Sequence, residues 1–500
     1  MGRIETLMNL PLLSTLLLLP LVGVIAIWLL PWVKPRVTAL VTLSLALIPA
    51  LSALLLLDTQ SSNFQFVEQY PWIPAVDAHF RFGIDGISAP FLPLTIILFI
   101  AVTLASWNRI QNLTPVYFSL LLLFATATLG VFMSIDTLAF FLFWELTLAP
   151  LYFLISLWGI GPHRRYAATK YTLFMLAGGI PLLLAFTVLA INHAEIMGAT
   201  PPAGLSFDYL TLIDTPLPMG LETVVFLFLL FGFAVKTPLF PLHTWLPIVA
   251  LEGPVPIAAL LVGLKLGAYG LIRFAIPLAP TAAQELHWLL AGLGVIGILY
   301  GALAALNQTN LRRMLAYSSM SHVGLVVLGI AAFNQQGLQG AVFQLYNFVI
   351  IAGGLFLLTG YLHHRLGSTD LIHLGGAAQS MPLLAAFFMF LGLASLGIPG
   401  TSGFPAELLI LISALNTHTG AGLAALFGMI IGAGYLLNSY RKCFYGPLID
   451  NQVRTAQDLR PRELLTMMVF SLLVLIFGLF PGQVLEVTKV TAEAWLSRLQ

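Results

Sequence analysis

Residues 222–247 read ETVVFLFLLFGFAVKTPLFPLHTWLP, an apolar run of helix length that is interrupted by Lys236 and then by prolines 238, 241 and 247. A membrane-spanning helix needs about 20 mostly apolar residues. Proline removes a backbone donor and clashes with the preceding turn, so the stretch predicts a spanning helix that breaks just after Lys236. Carbonyl groups freed inside a membrane are tolerated only where protein or water satisfies them. The break beside a charge therefore indicates a buried site.

Similar apolar runs follow one another along all 500 residues, of which 59% are hydrophobic, with a mean hydropathy of +0.96. Soluble domains contain about 45–50% apolar residues, so the chain is predicted to be an all-α, polytopic membrane protein with no soluble domain. We predict about 14 transmembrane helices. They lie near 8–32, 37–57, 89–107, 115–134, 137–158, 168–192, 222–247, 254–277, 287–306, 314–333, 338–361, 382–413, 420–440 and 464–481.

The distribution of basic residues predicts the orientation of these helices, because cytoplasmic loops carry most Lys and Arg. Most of the 21 Lys and Arg residues fall on one side of the predicted membrane, and few on the other. The poorer side carries Arg3, Arg81, Arg273, Lys489 and Arg498. We therefore expect both termini on the non-cytoplasmic side. The connections 58–86 and 193–221 are the long ones, and the first is expected to lie on the membrane surface.

A second break is predicted in helix 12, where Pro399-Gly400 and Gly403 precede Pro405 and Glu407. The broken helices 7 and 12 each fall fourth in a run of five, 115–277 and 287–446. An odd number of helices per unit places two copies in opposite orientation, as in many transporters. This predicts two inverted five-helix repeats, preceded by three helices within 1–107 and followed by a C-terminal helix and tail within 447–500.

Four ionisable residues, Glu145, Lys236, Lys265 and Glu407, interrupt apolar helices in a chain with only 8% charged residues. Each costs roughly 2.5–3.5 kcal/mol at the centre of a membrane, so such residues usually pair or line an ion path. A carboxylate in low dielectric tends to take up a proton, and a nearby ammonium keeps it ionised. We interpret the four as proton-translocation residues. The alternative for Glu145 and Lys236 is a static pair that joins two helices.

Histidines and hydroxyls lie beside these residues: His243 follows the first break, and Ser318, Ser319 and Ser321 precede His322 in helix 10. Histidine titrates near neutral pH, and hydroxyls can order water. These five are candidates for a proton relay. The simpler interpretation of each histidine is a side chain bonded to a backbone carbonyl.

No cofactor or metal site is expected in this chain. Cys443 is the only cysteine, so the chain cannot supply the ligands of an iron–sulfur cluster or a cysteine-based zinc site. His363, His364 and His373 are close in sequence, but the adjacent pair cannot face one metal. A net charge of +1 argues against nucleic acid as a partner. Asp85, Arg164 and Arg165 are interpreted as membrane-edge anchors.

Several motifs together resemble the antiporter-like, proton-translocating membrane subunits of complex I, of the NdhD/NuoM type. They are FWEL at 143–146, AVKTPLFPLHTWLP at 234–247, GLKLGAYG at 263–270, LAYSSMSH at 315–322 and GTSGFPAE at 400–407. The resemblance implies a fold of 14 helices with inverted repeats. It also implies that Glu145 and Lys236 form the family's Glu–Lys pair, that Lys265 is its central lysine and Glu407 its exit glutamate.

The resemblance further implies that the chain acts within a NAD(P)H- or ferredoxin-dependent plastoquinone oxidoreductase. Iron–sulfur clusters and plastoquinone would be held by other subunits. The implied partners are NdhF- and NdhB-type membrane subunits and lipid, and the implied location is a cyanobacterial thylakoid membrane with lumenal termini.

The sequence departs from the family at Ile248, Val249 and Ala250, where Asp, Ala and His are usual, and at Phe348, where histidine is common. With LEGPV at 251–255, these losses resemble the NdhD paralogues of carbon dioxide uptake, whose complexes include a peripheral hydration protein that holds zinc. Two alternatives stay open: an ordinary respiratory or cyclic-electron-flow NdhD subunit, and a Mrp-like cation/proton antiporter subunit.

Overall fold

The computed structural model describes residues 11–448 and 451–499. Within them, twelve helices are long and apolar enough to cross a membrane. One further helix of 16 residues, two shorter helices at the second predicted break and a helix of 8 residues after the first break complete the membrane part. Residues 8–10 of the first predicted helix, and Arg3 of the charge count, lie outside the described residues.

The membrane helices are, in chain order, α1 (Leu12–Leu29), α2 (Pro35–Leu55), α3 (Phe91–Ser106), α4 (Thr114–Met133), α5 (Thr137–Trp158), α6 (Arg164–Ile196), α7a (Met219–Lys236), α7b (Trp245–Glu252), α8 (Val255–Ala275), α9 (His287–Leu306), α10 (Leu311–Ala331), α11 (Gln335–Leu366), α12a (Pro382–Ser395), α12b (Gly403–Thr417), α13 (Thr419–Tyr445) and α14 (Pro461–Leu479). The all-α, polytopic fold is thus confirmed, as are the breaks in helices 7 and 12. The division into inverted repeats stays a prediction.

Two elements outside the membrane helices were not predicted. Strands β1 (Gln65–Ile73) and β2 (Ala78–Ile84) form an antiparallel hairpin within the long connection 58–86. The Glu68 carboxylate in β1 accepts hydrogen bonds from the backbone at Leu13 and Ser14, and so holds the start of α1. A final amphipathic helix, α15 (Pro481–Ser497), packs on α11, and its Trp495 indole donates to the Ile272 carbonyl at 2.8 Å.

Four helices, α4, α8, α10 and α11, form the interior. In each of them, between 83% and 94% of the residues of the most apolar stretch are buried. Glycines permit close approach here, since Gly294 of α9 and Gly324 of α10 each lie against the other's backbone. Because α8, α10 and α11 are enclosed, polar groups on them must find partners inside the protein.

Asp85 and Arg273 require a correction of the sequence analysis. From the sequence, Asp85 is predicted to be a membrane-edge anchor, and Arg273, within predicted helix 254–277, is counted on the less basic side of the membrane. Both are buried instead, and Arg273 Nη2 donates to Asp85 Oδ1 at 2.6 Å. Asp85 also accepts from the backbone of Ile87 and Ser88. The pair joins the end of β2 to α8, a long-range contact that residue spacing does not reveal.

Candidate functional site

Lys236 and Glu145 meet at a bend in α5. Lys236 is the last residue of α7a, and its ammonium donates to the Trp144 carbonyl at 3.0 Å and to the Thr147 hydroxyl at 2.8 Å. The same Nζ lies 3.8 Å from the centroid of the Trp144 ring. Thr147 interrupts α5 between residues 137–146 and 148–158, directly after the turn that carries Glu145. The structure therefore places the Lys236 ammonium at the turn of α5 that carries Glu145, so the two predicted partners are neighbours.

The Glu145 carboxylate lies near this lysine but does not form an ion pair with it. Among the described residues, none of its oxygens lies within 4.0 Å of a basic nitrogen. It packs instead over Gly179 of α6, where an added Cβ would collide with it. Lys236 is thus held by neutral acceptors, and a small displacement of its side chain would change its distance to the carboxylate.

The break after Lys236 is satisfied by the chain itself. The Phe233 carbonyl accepts from the Thr237 hydroxyl at 2.6 Å, and the Val235 carbonyl accepts from the Trp245 indole at 2.9 Å. Trp245 also contacts the ring of Tyr171, with centroids 5.3 Å apart. These bonds remove the cost of unpaired carbonyls in a low-dielectric interior, so the break is a stable part of the fold.

Tyr171 of α6 is a site residue that the sequence analysis missed. It is fully buried, and its hydroxyl lies close to Thr147 and Glu145. The available signal was its spacing from Gly178 and Gly179, which places all three on the inward face of α6.

Lys265 lies at a second kind of interruption, which was not predicted. Within α8 the regular helix stops at Gly263 and resumes at Leu266, and Lys265 occupies the junction. It is 3% exposed, and its ammonium has no hydrogen-bond partner among the described residues. The ring of Phe348 in α11 lies 5.0 Å from Nζ. Phe348, the position where the resemblance leads us to expect a histidine, is therefore the residue whose ring faces Lys265.

A small cavity begins at Phe348 and leads away from Lys265. Its polar lining consists of Ser318, Ser319, His322, Gln344, Asn347 and Ser395. The volume is about 30 Å³, which is enough for at least one water molecule. Phe348 begins a widened turn of α11 over Phe348–Ala352, a feature often found at functional sites.

The three predicted relay serines differ in their contacts. The Ser318 hydroxyl bonds the Tyr435 hydroxyl at 2.7 Å, and the Ser321 hydroxyl donates to the Ile298 carbonyl at 2.9 Å. The buried Ser319 hydroxyl has no protein partner among the described residues. The Ser321 hydroxyl therefore links α10 to α9, whereas Ser318 and Ser319 face the cavity.

His322 and Glu407 form the second close pair of the site. His322 Nδ1 lies 3.3 Å from Glu407 Oε1, and Glu407 is 2% exposed. A further cavity of about 20 Å³ touches both side chains and Tyr435. Asn347 stabilises the nearby break in helix 12, because its amide donates to the Ser402 carbonyl at 2.9 Å.

His243 lies apart from the other predicted relay residues, because it lines neither of the cavities that contain His322. It is buried among the rings of Phe240, Tyr300 and Tyr317, with its centroid 5.0 Å from that of Tyr300. Its Nδ1 has no hydrogen-bond partner among the described residues. Ile248 and Ala250 follow it in the same segment, and Ala250 is fully buried.

Glu252 has a structural role at the end of α7b: its carboxylate accepts from the His163 backbone at 2.7 Å, just before α6 begins. Within residues 11–448 and 451–499, no group of three or more His, Cys, Asp or Glu side chains is placed to hold a metal ion.

Comparison with known proteins gives consistent results. Residues 134–432 match the family described as "NADH:quinone oxidoreductase/Mrp antiporter, TM". The chain is 38% identical over 98% of its length to NAD(P)H-quinone oxidoreductase chain 4 1 of Synechococcus sp. (strain JA-2-3B'a(2-13)), of which it covers 93%. It is 34% identical over 97% of its length to NADH-quinone oxidoreductase subunit M of Rickettsia prowazekii (strain Madrid E), of which it covers 99%.

Solved structures share the fold. A chain of respiratory complex I from Thermus thermophilus superimposes with a TM-score of 0.89 at 32% identity, covering 98% of this chain and 100% of that one. A chain of the Mrp complex from Dietzia sp. DQ12-45-1b matches with a TM-score of 0.82, covering 97% of this chain and 52% of that one. At 22% identity this match shows a shared fold alone. By its matched residues and its relatives, this chain belongs to the family of NADH:quinone oxidoreductase and Mrp antiporter membrane subunits.

Proposed function

We propose that this chain translocates protons as a membrane subunit of a NAD(P)H- or ferredoxin-driven quinone oxidoreductase. One observation carries the proposal: Lys265 is buried with no hydrogen-bond partner among the described residues, on a helix that packs against α7a, which carries Lys236, and against α10, which carries His322. Burial of an unpaired ammonium costs considerable free energy, so a lysine kept in such a position inside a membrane usually serves a function. Gly267 in the next turn of α8 lies against Thr237, so the helices that carry the two lysines touch.

The arrangement supports a switch at Glu145. In this state Lys236 bonds to Trp144 and Thr147. Movement of the Lys236 ammonium toward Glu145 would favour the ionised form of the Glu145 carboxylate, whereas its movement toward Lys265 would favour the protonated form of that carboxylate. On the far side of the Phe348 ring from Lys265, polar groups line a cavity that includes His322, and His322 lies beside Glu407; a proton that travels from Lys265 to this pair would have to pass the ring. Moving one charge against 100 mV requires about 2.3 kcal/mol, which redox chemistry in other subunits would supply.

Lys236→Ala in the intact complex tests this function. We expect the complex to assemble and to reduce quinone while coupled proton movement is lost, measured with a pH-sensitive dye in sealed vesicles. Lys489→Ala is the matched control, since Lys489 is exposed on α15 and lies outside the site. Unchanged proton movement in Lys236→Ala would show that the lysine is a static structural partner.

A Mrp-like antiporter subunit is the alternative, and it shares the fold. Affinity purification separates the two: the proposed subunit copurifies with quinone-site and iron–sulfur subunits, whereas an antiporter subunit copurifies without them.

We further propose the carbon-dioxide-uptake form, in a thylakoid membrane with both termini in the lumen, next to NdhF- and NdhB-type subunits. Support comes from Phe348, Ile248 and Ala250 and from the LEGPV stretch at 251–255. Zinc would belong to a peripheral hydration protein. Gene deletion tests this form: loss of carbon dioxide uptake with intact respiration supports it, and loss of respiratory electron flow favours the ordinary paralogue.

A further inference from the structure

Arginines surround Trp107 at the basic side of the membrane, where α3 ends. The guanidinium carbons of Arg36 and Arg462 lie 5.4 and 5.1 Å from the centroid of the Trp107 ring. Arg109, Arg460 and Arg462 line a pocket with Trp107 whose volume is about 30 Å³. We call Arg36, Arg109, Arg460 and Arg462 the arginine cluster.

The charge of the arginine cluster is not neutralised within the described residues. No carboxylate oxygen lies within 4.0 Å of any of the four guanidinium groups. Glu463, the acidic residue in the pocket lining, is engaged by Arg365 at 2.5 Å and by the Arg460 backbone at 2.9 Å. Two of these charges lie over the Trp107 ring and three line the pocket; like charges repel one another, so the cluster is complementary to an anion.

Apolar surface leads from the arginine cluster into the membrane. Along α3, a half-buried stripe runs through Ile97, Ile100 and Leu104 at helical spacing, and Leu104 also lines the pocket. Along α14, Leu465 and Leu472 follow Arg462 on one face and are 53% and 57% exposed. Both α2 and α14 pack on α3, and the stripe reaches the basic pocket at Leu104.

We propose that the arginine cluster binds the phosphate of an anionic membrane lipid, whose acyl chain lies along Leu104 and Leu465. Guanidinium groups bind phosphate oxygens in bidentate fashion, and basic pockets between membrane helices suit lipid headgroups. Helices α2 and α14 begin at Pro35 and Pro461, beside two of the arginines, so their N-terminal dipole ends add to the positive potential. Trp107 lies where indoles favour the membrane interface.

Photolabelling of the intact complex tests this site. The complex is placed in nanodiscs with phosphatidylglycerol or phosphatidylcholine, each carrying a diazirine on its acyl chain, and labelled peptides are mapped by mass spectrometry. We expect phosphatidylglycerol to label peptides of α3 and α14. A surface arginine contributes about 1 kcal/mol to such binding, so Arg462→Gln should lower the labelling about five-fold. Arg462→Lys keeps the charge without the bidentate geometry, so its labelling should lie between that of the unaltered chain and that of Arg462→Gln.

Arg454→Gln is the control, because Arg454 is exposed near the same surface and outside the pocket. Labelling that is equal with the neutral lipid, or unchanged in Arg462→Gln, would overturn the proposal. Cross-linking of the cluster to an acidic peptide of a neighbouring subunit would overturn it too, since a protein surface would then cover the arginines.

Discussion

The ammonium of Lys265 lies 5.0 Å from the centroid of the Phe348 ring, and this ring separates the lysine from the cavity that leads to His322. The negative face of an aromatic ring attracts a cation and adds about 0.5–2 kcal/mol. Phe348 thus stabilises the charged lysine, although it cannot itself carry a proton. Proton transfer past this point requires the ring to move, or water to reach Lys265 beside it.

Phe348→Leu removes this attraction and keeps the position apolar. We expect coupled proton movement to fall by about two- to thirty-fold, the range that 0.5–2 kcal/mol implies, with assembly preserved. The measurement is proton movement per quinone reduced in sealed vesicles. Phe356→Leu is the control, because Phe356 lines the same cavity without contacting Lys265. Equal effects of the two substitutions would show that cavity shape matters and the ring's attraction does not.

Thr147→Val keeps the size of the side chain and removes the hydroxyl that accepts from Lys236 at 2.8 Å. Hydrogen bonds to charged groups contribute about 1.5–3 kcal/mol, so the resting position of the lysine is destabilised. We expect proton movement per electron to fall at least several-fold. Thr128→Val is the control, since the Thr128 hydroxyl bonds only the Phe124 carbonyl of its own helix. A Thr147→Val complex that pumps like the unaltered one contradicts the assignment.

Gly179→Ala places a methyl group where the Glu145 carboxylate packs. The carboxylate must shift away from Gly179, which changes its distance from Lys236, and we expect loss of proton movement with little loss of assembly. A second substitution, Glu145→Asp, shortens the side chain and should restore part of the activity in the Gly179→Ala background. Gly434→Ala is the control, because no neighbour lies within 4 Å of its added Cβ. Failure of the double variant to recover any activity would place the damage elsewhere in α6.

Asp85→Asn breaks the buried pair with Arg273 and leaves a guanidinium uncompensated. Removing one partner of such a pair costs about 3–5 kcal/mol, so we expect a lower unfolding temperature of the complex. The double variant Asp85→Leu with Arg273→Met should recover much of it, because a neutral, apolar pair leaves no buried charge. A double variant less stable than Asp85→Asn would contradict this explanation.

The same pair predicts a pH dependence. Burial opposes ionisation of Asp85, but the Arg273 guanidinium and the Ser88 hydrogen bonds outweigh it and hold the pKa below its usual value of 3.8. A lowered pKa stabilises the fold above about pH 4, and this contribution is lost as the pH falls further. The difference in unfolding temperature between the unaltered chain and Asp85→Asn should therefore stay constant from about pH 5 to 8. It should narrow only below about pH 4. Narrowing near neutral pH would argue against an ionised Asp85.

Helix breaks could be predicted because proline and glycine act locally. Pro238 and Pro399 predicted the breaks in helices 7 and 12, and both are present. The interruption of α8 at Lys265 and the widened turn at Phe348 have no proline signal, and they depend on packing between α8 and α11. Sequence patterns therefore reveal helix breaks that a proline causes directly, and they miss helix interruptions that depend on packing against another helix.

The sequence by itself determined that this chain is a polytopic helical membrane protein, because the length of an apolar run and the cost of a buried charge depend on residue type alone. It also singled out Glu145, Lys236, Lys265 and Glu407. Only the tertiary structure decided their contacts: Lys236 on Thr147, Lys265 against Phe348, and Glu407 beside His322. These partners lie on different helices, and side chains from different helices meet only where packing sets the rotation and depth of each helix.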